Sequence, residues 1–213
     1  MKLFLFLVSV TSLFGGYIAF GREYGVAYFS RSPEFSIYEE LAFGAEAIRL
    51  PYSARGIREL FEVCGDVRQG VIYALQSQEV QQVIDGKCLA WALAALDRNP
   101  TYSAAHTIKM MSSTQPQEIR DSMVLSQKTS AYESWDAKLR LAKSIDLFGT
   151  GGGDFDAAVQ DDIRFLVQSD RGRAWLANLY QRIPLVRDVL ARTIDARPAA
   201  EKADFLQKVR AGG

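Results

Sequence analysis

From Ile57 onward, apolar residues recur three and four positions apart. Ile57, Leu60, Phe61, Cys64, Val67, Val71, Ile72 and Leu75 form one stripe, and the pattern resumes after Gln76-Ser77-Gln78 in Val80, Val83, Ile84, Cys88, Trp91, Ala92 and Leu96. That spacing is the period of an α-helix with one buried face. It predicts two helices, folded back on each other at 76–78 as an antiparallel hairpin from about Ala54 to Asp97. Asp85-Gly86 is the one place where the second helix could end early.

The same period continues to the C-terminus. Tyr102, Ala105, Ile108 and Met111 share a face after Asn99-Pro100, a good N-cap and first-turn pair. Tyr132, Trp135, Leu139, Ala142 and Ile145 define a strongly amphipathic helix, and Val159, Ile163, Leu166 and Val167 another. Two more helices are expected around 175–179 and 185–194, divided by Ile183-Pro184, and a last one after Arg197-Pro198. Ser36–Glu39, Thr114–Gln117 and Ser130–Glu133 have capping-box spacing, and Asp154 or Asp156 can cap the helix after Gly149–Gly153. Glu23 to Ser30 is an aromatic-rich connector with the look of a short strand. No convincing alternating segment follows residue 30, so the fold class is all-α.

The N-terminus departs from this amphipathic pattern. Lys2 is its only charge before Arg22, and Leu3 to Gly21 is uncharged. As a helix that stretch would run ~28 Å, against a hydrocarbon core of ~30 Å. Leu3 to Phe14 also has the length of a signal-peptide core, and Ala19-Phe20-Gly21 offers small residues for cleavage. Residues 1–21 are therefore a signal peptide or a signal-anchor helix, residues 22–53 a connector with a short helix, and residues 54–213 a helical domain. Either leader carries the rest of the chain out of the cytoplasm. If the anchor is kept, the Lys2 end stays inside.

Export changes the meaning of the two cysteines. Cys64 lies twelve residues before Gln76 and Cys88 twelve after it, so a hairpin brings both thiols to the same height. In an oxidising compartment that favours a disulfide. Closing a loop of about 25 residues stabilises the fold by ~3 kcal/mol in the chain-entropy model.

The segment Cys88 to Pro100, CLAWALAALDRNP, resembles the end of a tetratricopeptide unit, with small residues Ala92 and Ala95 and a closing proline. The resemblance fades after Pro100: His106, Lys109, Met110 and Ser113 do not follow the repeat. Trp91, Trp135 and Trp175, 44 and 40 residues apart, give a looser echo. The resemblance implies antiparallel helix pairs stacked as a short solenoid, with the three tryptophans as repeat-core or interaction aromatics. A compact α bundle would carry the same features. The layout of apolar leader plus degenerate helix pairs is loosely similar to that of accessory proteins of bacterial cell-envelope and exopolysaccharide assembly.

Composition narrows what such a chain can do. It has 213 residues, 48% hydrophobic and 23% charged, with 25 basic and 25 acidic side chains. The cancelling charge gives no bulk attraction to nucleic acid, and none is expected as a partner. With two cysteines and the single histidine His106, a zinc site is improbable, and neither metal nor cofactor is expected. FGTGGGDFD, 148–156, lacks the lysine of a phosphate-cradling loop and reads as a connection between helices. Asp154 and Asp156 lack the spacing of a calcium loop. Glu133-Ser134 resembles the catalytic glutamate and following serine of exported helical muramidases, but the glycine-rich cleft motif is absent. His106 has no evident catalytic partner and reads as a surface histidine. Glu39-Glu40 and Asp161-Asp162 read as solvated helix faces.

The expectation is a non-enzymatic, exported helical scaffold, periplasmic or on the periplasmic face of a bacterial inner membrane. It would be tethered through its N-terminal segment and hold a protein partner in a cell-envelope assembly. A muramidase using Glu133 and a structural oligomer are the alternatives.

Overall fold

The computed structural model describes residues 2–44, 48–130, 132–148 and 152–212, without the side chains of Lys2, Leu3, Leu5 and Asp146. Among the described residues every regular element is helical and there is no strand. The chain divides into two compact units, Met1–Arg98 and Asn99–Gly213.

The N-terminal unit begins with α1, Lys2–Phe29. The strand expected over Glu23–Ser30 is not formed. That stretch is the last two turns of α1, because Val26 and Phe29 fall on one helical face and are buried. Before Arg22 the described side chains of the helix form no buried face. Phe4, Leu13, Phe14 and Tyr17 are all exposed, on every side of the axis. Among the described residues no helix is long and apolar enough to cross a membrane.

The remaining helices of this unit are α2, Glu34–Phe43; α3, Ala54–Gln69; α4, Val71–Ala74; and α5, Gln78–Arg98. Here α3 packs on α1, α2 and α5, and α2 also packs on α5. The predicted hairpin is present, with one change. Its first helix breaks at Gly70, whose extended backbone ends α3 before the short α4. Asp85-Gly86 does not end α5, since Asp85 is held from across the hairpin by Arg68 and the Tyr73 hydroxyl.

The C-terminal unit holds α6, Ser103–Ser112; α7, Pro116–Thr129; α8, Ser134–Ser144; α9, Gly153–Leu166; α10, Asp170–Arg182; α11, Arg187–Asp195; and α12, Ala199–Ala211. Short 3-10 turns cover Ile145–Leu147 and Pro184–Val186. Among the described residues, each helix makes its main contacts with the next one or two in sequence. One continuous core runs along the unit, from Met110 through Met123, Leu141, Ile163 and Leu176 to Phe205.

The helix starts correct the expected caps. Ser36 lies inside α2, which opens at Glu34 after Pro33. For α7 the N-cap position is Gln115, not Thr114, with no side-chain cap; just before it, the Ser113 hydroxyl accepts from Gln115 N and donates to Glu118. For α8 the N-cap position is Glu133 itself, with no side-chain cap, and Ala131 of the expected box lies outside the described residues. Asp154 and Asp156 sit in the first turn of α9, where negative charge suits the helix dipole, and Gly152 holds the N-cap position. Asn99-Pro100 does not start α6, which opens three residues later. Asn99 Oδ1 accepts from Thr101 N and its hydroxyl, making a turn at the boundary between the units.

Candidate functional site

Three places hold side chains that sequence or geometry marks for a role: the foot of α1, the cysteine hairpin, and a buried polar cluster in the C-terminal unit.

At the foot of α1 the free helix meets the body of its unit. Glu23 faces the N-terminus of α3. One carboxylate oxygen accepts from Tyr52 N and Ser53 N at 2.8 and 2.7 Å, and the other from the Ser53 hydroxyl at 2.6 Å. Partial burial pulls this carboxyl upward, but the bonds from Ser53 and Tyr52 outweigh it and hold it below the ordinary glutamate value. Ser53 in turn caps α3 by accepting from Gly56 N. One residue back, the Arg22 guanidinium lies 4.5 Å from the centre of the Tyr52 ring, and Arg98, from the end of α5, lies 5.4 Å from the same ring. Arg98 also donates to the Pro51 carbonyl. These contacts fix α1 to the loop before α3, so no slack linker separates the apolar helix from its domain.

Higher in the same unit, Cys64 and Cys88 are bonded, with their Cα atoms 6.0 Å apart. Both are fully buried. The bond ties the midpoints of α3 and α5 together, as the symmetric spacing about Gln76 predicts. Trp91 is buried one turn further along α5, and its Nε1–H donates to the Ile48 carbonyl at 2.7 Å.

The C-terminal unit buries a guanidinium. Arg140 of α8 and Asp162 of α9 are both 0% exposed, joined by two parallel bonds of 2.7 and 2.6 Å. Arg140 Nη1 also donates to the Ser126 hydroxyl at 3.0 Å. Ser126 touches the hydroxyls of Ser103 and Thr107 at 3.0 and 2.7 Å. Ser103 donates to Asp136, which lies one turn before Arg140 at 4.0 Å. Burial pushes Asp162 up to about 6, outweighing Arg140, which pulls it down. Asp136 is raised for the same reason, against Arg140 and the hydroxyls, with the Glu133 charge adding a little. Two acids thus share one base in a sealed polar core linking α6, α7, α8 and α9. Such a cluster specifies packing; no open face presents it to a substrate.

Sequence reasoning passed over this cluster and read Asp161-Asp162 as a solvated pair. Only Asp161 is solvated, pairing with Arg164 at 2.7 Å. The missed signal is positional: Asp162 sits three residues after Val159 and four before Leu166, on the apolar face. His106 is likewise buried rather than exposed, its Nε2–H donating to the Pro100 carbonyl at 2.8 Å. Glu133 is half-buried at the start of α8. Trp135 and Trp175 are partly buried against the core of the C-terminal unit. Of the glycine-rich loop, residues 149–151 lie outside the described residues, and Gly152 takes a positive φ of 89° that favours glycine. Among the described residues no cluster of His, Cys, Asp and Glu could hold a metal ion.

No family model, no curated protein and no solved structure matches this chain. Its function therefore rests on the chain's own chemistry.

Proposed function

We propose that this protein is a membrane-tethered helical scaffold, exported to the periplasmic face of a bacterial inner membrane, which holds a protein partner in a cell-envelope assembly. The observation that carries the proposal is α1. From Phe4 to Phe20 its described side chains carry no charge and almost all are exposed, among them Phe4, Phe6, Leu7, Leu13, Phe14 and Phe20, while its last two turns are locked to the domain. A helix apolar on every side has no stable place in water. No described helix has the length and apolarity of a membrane-crossing span, but seated in lipid the exposed surface of α1 is satisfied and the domain stands at the bilayer face.

The scaffold part of the reading has two supports. In the C-terminal unit the main helix contacts run only to near neighbours in sequence, the contact pattern of a short stack of helix pairs. Of the polar residues that sequence marked for chemistry, His106 is spent on a backbone carbonyl, and Glu133 occupies the N-cap position of α8. The Cys64–Cys88 bond suits an oxidising compartment.

Expression of the full chain with a C-terminal alkaline phosphatase tests export and tether together. Active phosphatase, retained in membranes through an alkaline carbonate wash, is the expected result. An inactive fusion, or one released by the wash, would sink the assignment.

A further inference from the structure

We propose that the foot of α1 is a seat for the headgroup of an anionic phospholipid, with the Arg22 and Arg98 guanidiniums beside Tyr52 taking its phosphate. This rests on the membrane reading above and deepens it.

The placement follows from sequence and contact. The uncharged run of α1 ends at Gly21, and Arg22 is the first charge after it. With Phe20 in the outer edge of the hydrocarbon, Arg22 lies ~3 Å further along the axis, in the headgroup layer. Whatever touches Arg22 lies in that layer too. Tyr52 touches it at 4.5 Å, and Arg98 reaches the same ring at 5.4 Å.

The charges there leave an opening for an anion. Neither Arg22 nor Arg98 forms an ion pair among the described residues, and Arg22 Nε is buried without a hydrogen-bond partner. The nearest carboxylate in sequence, Glu23, is occupied by Tyr52 N, Ser53 N and the Ser53 hydroxyl. Asp97 is exposed beside Arg98; close in sequence, the loop leading into α3 carries the exposed Arg49, and the first turn of α3 carries Arg55, which pairs with Glu59. Two guanidiniums against one ring repel each other. A phosphate contacted by both offsets the two positive charges and accepts from their remaining exposed N–H groups.

The opposite face of the helix carries the matching apolar feature. Phe20, Tyr24 and Tyr28 stack along α1 with ring centres 5.7 and 6.4 Å apart, and are 66%, 59% and 69% exposed. Aromatic rings with polar tips collect at the boundary between hydrocarbon and water. At ~1.5 Å per residue they bracket Arg22, Phe20 lying ~3 Å before it, Tyr24 ~3 Å and Tyr28 ~9 Å beyond it. The tether is therefore a fixed mount: lipid phosphate on the arginine side, ring belt on the other, and Glu23 clamping the helix to α3.

The test uses the full chain in neutral detergent, offered equal amounts of phosphatidylglycerol and phosphatidylcholine and weighed by native mass spectrometry. The expected result is a preference for phosphatidylglycerol on the order of thirtyfold, from two basic residues at such a surface. Arg22→Gln with Arg98→Gln should abolish it, with the disulfide and helical content unchanged. Arg98→Gln alone, at an exposed position, should reduce it with helical content again unchanged, and the Arg→Lys pair should keep most of it. No preference in the natural chain, or one untouched by the glutamine variants, would overturn the seat. So would equal binding of free glycerol phosphate, which would make this a soluble-anion site. Flotation with pure phosphatidylcholine vesicles is the separate arm: failure to float sinks the tether itself, whereas floating without lipid preference sinks only the headgroup seat.

Discussion

The two units close their cores with different chemistry. Around Cys64 the N-terminal unit is dry: Leu60, Phe61, Ile84 and Ala92 surround a covalent bond, and the ionic contact of Arg68 with Asp85 lies toward the edge. Around Arg140 the C-terminal unit is charged, with three ionisable groups and three hydroxyls sealed among apolar helices. A disulfide acts mainly on the unfolded chain, by shortening the loop it can explore. A buried ion cluster acts on the folded chain, since its members are costly to bury and tolerable only together. The first device answers to reductant and the second to pH and to loss of a member. Each unit thus has a weakness that the other lacks, and the comparison can be broken from either side.

The largest effect is expected at Arg140. Arg140→Met leaves Asp162 and Asp136 without their cation, and removing one partner of a buried pair costs about 3–5 kcal/mol. Hydrogen exchange followed by peptide should show protection lost across α7, α8 and α9 while α3 and α5 keep theirs. Adding Asp162→Leu to the variant should restore part of the loss, because an apolar pair of similar size has no desolvation to offset. Uniform loss across both units would show that they do not fold independently.

That cluster is also where sequence reading and structure part company. The cysteine hairpin was legible because both of its signals are local: a period of three and four, and two thiols equidistant from a polar turn. The end of α1 misled because Tyr, Val and Phe favour strands as readily as helices over a short run. Only contact with α3 decides for helix, through Val26 and Phe29. Arg140 was invisible for a stronger reason. Asp136 and Arg140, four apart on a helix, look like any surface pair. Their burial depends on Ser126 from α7 and Asp162 from α9 arriving together. The lipid-facing foot was half legible. The change from apolar to charged at Arg22 is in the sequence, whereas Arg98 joins it only through the fold of α5.

Reduction of the Cys64–Cys88 bond is the next largest perturbation, ~3 kcal/mol for a loop of about 25 residues. It should fall on the N-terminal unit alone. Urea unfolding of the chain with and without reductant, again read by hydrogen exchange, should move α3 and α5 and leave α8 and α9 in place. Equal protection of α3 and α5 in both conditions would mean the hairpin packing suffices without its bond.

The pH response should separate the units by sign. Asp162 is raised from an ordinary 3.8 to about 6 on folding. A raised group takes its proton more readily when folded, so its stabilising contribution is full below about pH 4 and is lost as pH rises through about 6. Asp136 moves the same way. Glu23 is lowered from its ordinary 4.5, so its contribution is present above that value and is lost as pH falls. Between pH 4 and 6 the C-terminal unit should therefore become less stable as pH rises, while the clamp at the foot of α1 does not weaken over the same rise. Thermal melts of Asp162→Asn against the natural chain check the assignment: the variant should flatten the slope in the C-terminal unit.

The smallest effects make the finest comparison, because the units share a matched pair of caps. Ser53 opens α3 by accepting from Gly56 N at 2.9 Å, and Ser169 opens α10 by accepting from Gly172 N at 3.0 Å. The local chemistry is the same: serine, two residues, then a glycine amide. Removing such a cap costs ~1 kcal/mol, and Ser169→Ala should cost about that. Ser53 does more, since its hydroxyl also donates to the Glu23 carboxylate at 2.6 Å, a charge-assisted bond roughly twice as strong as a neutral one. Ser53→Ala should therefore cost measurably more than Ser169→Ala, and the excess should shrink when Glu23 is already Gln. If the two alanine variants cost the same in denaturant unfolding, the Glu23 contact adds nothing to the cap. Glu23 would then hold the apolar helix to its domain through the Tyr52 and Ser53 amides alone, beside Val26, Phe29 and the arginines.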